Sequence, residues 1–430
     1  RGKKTKMGSK RSSSASLYIM HNKNLTVSVE EALEIVLRSV NPLSFENIPL
    51  MRAFNRILYE DVVSDRMMPP VADSAMDGYA IIADDTRGAS LNRPVKLHVV
   101  GEIRAGSSST GHQVSKGTAI RIMTGAPIPQ GADSVVRFED TEEESGYIKL
   151  FCETEKYENY REAGEHIREG EHILSKGKRL NSADVGILAS LHHNTVKVYK
   201  RPTVSVISTG DELADTGEEI QIHQIRNSNA YTICSEVTKY GGHARYLGIA
   251  KDSLGEMRKI FANALKSDVI ISTGGVSAGK YDLVKEVCSD LNIEIHFDRV
   301  NIKPGRPCVF GTKGDKMVFG LPGNPVPALT SFIQFVRPAL LRLMGATKIR
   351  KPIVNACLEQ DITSGKIHHL VRGCYTIKNN EFYVSKTSHQ KPSMLRSMSD
   401  ANCLIIIPET VTKVMAGDRV AIQLIDHDEI

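Results

Sequence analysis

The sequence predicts a multidomain α/β protein: a central doubly wound parallel-sheet domain, with a helical domain, an inserted β domain and a C-terminal β domain. Three observations predict it. Between 201 and 346, short apolar strand runs alternate with segments of helical period, the pattern of a parallel sheet covered on both faces. Segments 61–159 and 347–430 hold short β-rich runs with no sustained helical period. The chain, at 430 residues, is too long for one compact core.

The elements follow in chain order. Residues 1–23 carry seven Lys and Arg and no acid, and run into SSSAS, so they predict a disordered basic tail. They lack the apolar core of a secretory signal. A first helix starts at Ser28, where Ser28 and Glu31 form a capping box and Val29, Ala32, Leu33, Val36, Leu37 and Val40 share one face. Residues 24–60 and 160–200 are expected to form the helical domain from separated pieces, the second with a helix capped by Asn181 or Ser182 and carrying Val185, Ile187, Leu188 and Leu191. The inserted β domain covers 61–159, with strand-like runs at 94–100 and 119–123.

In the α/β domain, TVSVIS (203–208) reads as a buried strand and 228–240 as a helix ended by Gly241-Gly242. Further strands are expected near 245–249, 268–272, 293–302 and 317–321, and helices over 254–265, 282–291 and 326–344. Right-handed crossovers bring the strand C-termini to one rim, the usual ligand edge of such sheets.

Four polar or Gly-rich loops fall on that rim: STGDEL (208–213), STGGVSAGKYD (272–282), NIKPGRP (301–307) and LPGNPVPA (321–328). Glycine at a strand end lets backbone approach a ligand, and free N–H groups at a helix start favour an anion such as phosphate. Asp211, Glu212, Asp252 and Asp282 stand among these loops, beside Lys303 and Arg306. Such acids suit Mg²⁺, a hard cation that bridges carboxylate and phosphate oxygens. Asp252 and Asp282 also open helices, where N-capping would account for them, and the residues leave both readings open. In the β-rich region, ADSAMDGYA (72–80) and RIMTGAPIPQGADSVV (121–136) place Asp77 and Thr124 in polar loops rich in small residues.

Composition excludes several classes. Beyond the tail, 48 basic residues face 50 acidic ones, so the net charge of +5 gives no basic face for nucleic acid. No run approaches the roughly 18 apolar residues of a membrane span. The seven cysteines show no zinc or redox spacing and predict a reduced, cytoplasmic protein.

Taken together, MDGYA, RIMTGAPIPQGAD, STGDE, TGGVSAGKYD, KPGRP and LPGNPVPA occur in the order and spacing of the MoeA and gephyrin E-domain family, and the resemblance covers 24–430. It implies a central domain of the molybdopterin-binding type and an elongated homodimer whose cleft is shared between protomers. It implies insertion of molybdate into adenylated molybdopterin with Mg²⁺, hydrolysis of the phosphoanhydride and release of AMP. Carried over by motif, Asp77, Glu212, Asp252 and Asp282 are the catalytic acids, with Asp252 and Asp282 on the metal. Thr124, Gly274, Gly275, Ser277, Lys303, Arg306, Pro322, Gly323, Pro325, Arg372 and Ser393 are the substrate-binding residues. Partners implied are molybdopterin adenylyltransferase and molybdoenzyme-maturation proteins, with no nucleic acid and no membrane.

Five positions depart from the family pattern: His166 where an acid is usual, Leu283 after Asp282, Pro327 after PGNPV, and Lys391 and Pro392 in a stretch of small residues. Two alternatives stand beside the insertion enzyme. One is an adenylyltransferase-like activity, whose α/β domain has a similar GGVS loop but which lacks the extra β domains. The other is a non-catalytic scaffolding dimer.

Overall fold

A computed structural model describes residues 26–276 and 283–425. The expectations for the tail, Ser277 and Asp282 therefore lie outside the described residues. Two compact units emerge: Phe45–Val198 forms one, and the described residues before and after it form the other.

The larger unit is built on a seven-stranded sheet in the order Thr26–Val27, Glu294–Val300, Pro307–Lys313, Lys316–Leu321, Val269–Thr273, Thr203–Thr209, His243–Ala250. Its central strands, Thr203–Thr209, Val269–Thr273 and Lys316–Leu321, are buried on both faces. Val204, Val206, Val269, Ile271 and Phe319 point into one core with the helices Val29–Arg38, Ser228–Lys239 and the 325–343 region. Ile207, Ile270 and Val318 point into a second core with Leu254–Ala264 and Leu283–Asp290. Alternate residues of each strand thus enter opposite cores, which explains why the strands read as continuous apolar runs. Full burial of each such side chain stabilises by about 2 kcal/mol.

The sheet is mixed where an all-parallel one was expected. Pro307–Lys313 runs antiparallel to both neighbours, Glu294–Val300 and Lys316–Leu321. It forms a tight hairpin with the latter across Gly314 and Asp315, and Gly314 adopts a positive φ of 57°. The helix expected over 326–344 is divided into Pro325–Ser331, a π-helical turn Phe332–Val336, and Arg337–Leu343. Pro338 explains the break, because it has no N–H for the carbonyl one turn earlier. The first helix, expected with the helical pieces of 160–200, contributes Val29, Ala32 and Val36 to the α/β core.

At the C-terminal end of this unit, five strands close into a barrel: His368–Lys378, Glu381–Lys386, Ile353–Leu358, Arg419–Leu424 and Cys403–Ile407, the last pairing back to the first. Its interior is filled by Leu358, Val371, Val384, Ile405 and Ile422.

Phe45–Val198 contains a six-stranded sheet ordered Ser134–Arg137, Gly78–Ile81, Thr118–Ile122, Val95–Ile103, Tyr147–Leu150, Thr141–Glu144. The 160–192 stretch, expected to be helical, supplies one helix, Ser182–Ser190, capped by a reciprocal Asn181–Asp184 box; the rest is short strands and turns. No helix among the described residues is long and apolar enough to cross a membrane.

Candidate functional site

The strands Thr203–Thr209, Val269–Thr273 and Lys316–Leu321 run parallel and end together. A cavity of about 460 Å³ opens at those ends, lined by Thr209, Gly210, Glu212, Ile225, Asp252, Gly274, Gly275, Val276, Pro307, Pro322, Gly323 and Asn324. This is the ligand edge expected of an open α/β sheet.

Backbone packs closely on the pocket floor. Gly274 has φ 91°, and a Cβ there would lie 2.5 Å from the Thr209 carbonyl oxygen, so both conformation and space require glycine. Its N–H donates to the Leu321 carbonyl oxygen at 3.0 Å. The Asn229 side-chain amide donates to the Gly323 carbonyl oxygen at 2.8 Å, tying the Pro322-Gly323 turn to the helix Ser228–Lys239. These contacts fix the floor before any ligand arrives.

Two acids stand on this floor. Glu212 and Asp252 are exposed, and among the described residues their carboxylates accept no hydrogen bond and join no ion pair. The helix that follows Asp252 is not capped by it: Ser253 occupies the N-cap, and no side-chain cap bond forms. The Asp252 N–H instead donates to the Asp211 carboxylate at 3.2 Å. The capping explanation for Asp252 is therefore corrected, and its carboxylate faces the pocket free of local work. No group of three or more His, Cys, Asp or Glu converges as a metal cage among the described residues.

The expected cations lie elsewhere in the same unit. Lys303 and Arg306 are exposed on the loop after Glu294–Val300 and do not line the cavity. Lys303 extends the barrel sheet by pairing with His369. Arg372 is only 2% exposed. Its Nε donates to Ser397 Oγ at 3.3 Å, and its Nη2 reaches the carbonyl oxygens of His389 and Lys391 at 3.4 Å each. No acid pairs with it among the described residues, and burial pushes its pKa down to about 10, so it remains a cation at neutral pH. His369, held by Ser364, is pushed down to about 4 by burial and by the nearby charges of Lys303 and Arg372. Lys303, His369 and Arg372 thus stand together, and none of them lines the acidic pocket. Ser393 is exposed on the loop that wraps Arg372, and Pro325 opens the helix after the Pro322-Gly323 turn.

In the Phe45–Val198 unit, Asp77 is exposed just before the strand Gly78–Ile81. Its Oδ1 accepts from the N–H and hydroxyl of Thr124 at 2.7 and 2.8 Å, which holds the carboxyl below its ordinary range. Two residues chosen separately from the sequence thus meet. His166 is exposed on a turn, and Pro327 is buried in the first turn of its helix.

Sequence reasoning singled out Glu212, Asp252, Gly274, Gly275, Pro322 and Gly323, and the structure gathers them. It missed Thr209, Gly210, Ile225, Val276, Pro307 and Asn324. Thr209, Gly210, Val276, Pro307 and Asn324 sit inside loops already singled out, whereas Ile225 lies in a polar stretch with no periodic signal.

Comparison with known proteins places this geometry. Residues 27–191 match the MoeA N-terminal region (domains I and II), 205–342 a probable molybdopterin binding domain, and 355–425 the MoeA C-terminal region (domain IV). A molybdopterin molybdenumtransferase of Staphylococcus epidermidis is 33% identical over 94% of this chain and 97% of its own length. The chain belongs to the MoeA family. A Staphylococcus aureus relative of the same name is also 33% identical, over 94% of this chain and 96% of its own length. The molybdopterin biosynthesis MoeA protein of Pyrococcus horikoshii OT3 superposes with a TM-score of 0.80 at 30% identity, covering 93% of this chain and all of that one. Within the MoeA frame, the cavity lies wholly in the molybdopterin-binding segment, except that its acids and glycines are set by loops rather than by helices or strands.

Proposed function

We propose that this MoeA-family chain is a molybdopterin molybdenumtransferase that inserts molybdenum, supplied as molybdate, into adenylated molybdopterin, hydrolysing the phosphoanhydride and releasing AMP. One observation carries the reading. Glu212 and Asp252 present two carboxylates, unpaired among the described residues, on the same floor as the Gly274-Gly275 turn, where backbone rather than side chains faces the cavity.

That donor set fits Mg²⁺, which is usually held by one or two carboxylates plus substrate phosphate oxygens rather than by an all-protein cage. Glu212, Asp252 and Asp282 would hold it, and when bound it would draw negative charge from the phosphoanhydride. The residues of the chain do the rest. Gly274, Gly275 and Ser277 receive the nucleotide phosphate, while Pro322, Gly323 and Pro325 shape the floor. Lys303, Arg306 and Ser393 draw the molybdate oxyanion toward the dithiolene sulfurs, and the buried charge of Arg372 supports them from behind. The active form is a homodimer, in which Asp77 and Thr124 of one protomer complete the cleft of the other. It works in the cytoplasm, receiving substrate from the adenylyltransferase and passing product to molybdoenzyme-maturation proteins.

The test is incubation with adenylated molybdopterin, molybdate and Mg²⁺, following AMP release and reconstitution of an apo-molybdoenzyme. Asp252→Asn should lower AMP release by about 100-fold or more. Its melting temperature should not move, because the carboxylate makes no bond to any of the described residues. Full activity in that variant would remove the pocket from the reaction. Adenylated product formed from ATP and free molybdopterin would favour the adenylyltransferase reading, and peptide capture without turnover the scaffolding one.

A further inference from the structure

Glu212 and Ile225 are carried by the 210–226 segment, which joins a sheet strand to the helix Ser228–Lys239 and folds back on itself. Leu213–Ala214 pairs with Ile225–Arg226, and the Ile225 N–H donates to the Glu212 carbonyl oxygen at 2.8 Å. A two-residue pairing is too short to fix a loop alone. A side-chain network supplies the rest. Asp215 accepts from the hydroxyls of Tyr231 at 2.8 Å and Tyr246 at 2.7 Å. Tyr231 belongs to the following helix and Tyr246 to the edge strand His243–Ala250. The Tyr246 oxygen in turn accepts from the Asn227 amide at 2.8 Å. Asn227, 2% exposed, accepts from Ser208 Oγ at 2.9 Å and from the Ala230 N–H, so it also caps the helix. Ser208 shares a 3.3 Å bond with Thr273, whose neighbour Gly274 lines the pocket.

Resting on the function proposed above, we infer that Asp215, Tyr246 and Asn227 are positioning residues that set the Glu212 carboxylate over the pocket floor and lock it to the Gly274 turn. None of the three lines the cavity, so none is a catalytic residue. The Tyr246 hydroxyl gives its one proton to Asp215 and takes one from Asn227, which gives this chain of bonds a single direction. Glu212 itself folds against Gly210, where an added Cβ would collide with its carboxylate. A shift of the segment therefore moves the acid directly. Tyr246 is held as a proton donor by burial and by Asp215, so the network does not rearrange near neutral pH.

Tyr246→Phe removes one hydroxyl and keeps the ring. The expected result is a fall of about tenfold in kcat with KM for adenylated molybdopterin changed less than twofold. In a Glu212→Gln background the same substitution should cost nothing further, because both act through one carboxylate. Independently of turnover, hydrogen exchange at Leu213 and Ile225 should quicken while Val269–Thr273 stays protected. Additive losses in the double variant, or unchanged exchange in 210–226, would overturn the inference. If Tyr246→Phe does not fold, Asp215→Asn is read by the same three measurements. Wild-type protein that releases no AMP would overturn the function and leave the exchange result to judge the network.

Discussion

Single residues in the two clusters handle charge in opposite ways. Glu212 and Asp252 stay exposed, with no partner among the described residues, whereas Arg372 and His369 are buried and held mainly by neutral groups. His369 gives a pH signature. Its folded pKa of about 4 lies below the ordinary 6.5, so below pH 6.5 the unfolded chain takes up a proton that the folded one refuses. Its contribution is present in full above pH 6.5 and is lost as the pH falls to about 4, by up to roughly 3 kcal/mol. Urea midpoints for wild type and His369→Gln at pH 7 and pH 4.5 check this: the variant should lose less stability between them, and equal losses would contradict the buried neutral imidazole. Gly274→Ala is expected to destabilise by more than about 1 kcal/mol, since it combines a positive φ with contact against Thr209. A thermal melt measures that cost, and a matched loss of nucleotide affinity in calorimetry would tie the strain to the pocket floor.

Whole elements were legible where a local pattern decided them. The Ser28–Glu31 capping box forms as read, with both reciprocal bonds, and the helix Val29–Arg38 follows it. Ser28→Ala should cost about 1 kcal/mol in a denaturant titration, because the Glu31 N–H in the first helical turn loses its side-chain acceptor. An unchanged midpoint would mean that the helix is held by its apolar face alone. Legibility failed where tertiary pairing outweighed local signals. Pro307–Lys313 begins with proline and contains Gly311, so it reads as loop, yet it is paired on both sides in the sheet. The hydrophobic period across 326–344 is continuous, and only Pro338 hinted at the π-helical turn. For the site, the glycines and acids were legible because strand-end loops advertise them. The side chains Asn227, Tyr246 and Asp215 were not, since their partners lie in elements whose relative placement only the fold supplies.

At the scale of the whole molecule, the chain is a core with a unit inserted into it. Every residue of the α/β and barrel cores comes from outside Phe45–Val198, and every residue of the remaining cores from within it. Where the chain leaves and re-enters the larger unit, the Lys200 N–H donates to the Ser44 carbonyl oxygen at 2.9 Å. The two cut ends are thus close enough for a short glycine turn to replace the insertion without pulling the core. The excised protein should unfold in one cooperative step and keep its affinity for the adenylated ligand, because every residue that lines the cavity lies outside Phe45–Val198. On the proposed function it should lose turnover, because Asp77 and Thr124, the residues proposed to complete the cleft, leave with the removed unit. Calorimetry and the AMP-release assay report on the two halves of this expectation separately. An excised protein that binds and still turns over at the wild-type rate would show that catalysis needs only the α/β and barrel residues, and Asp77 would then be left with its bond to Thr124 as its whole purpose.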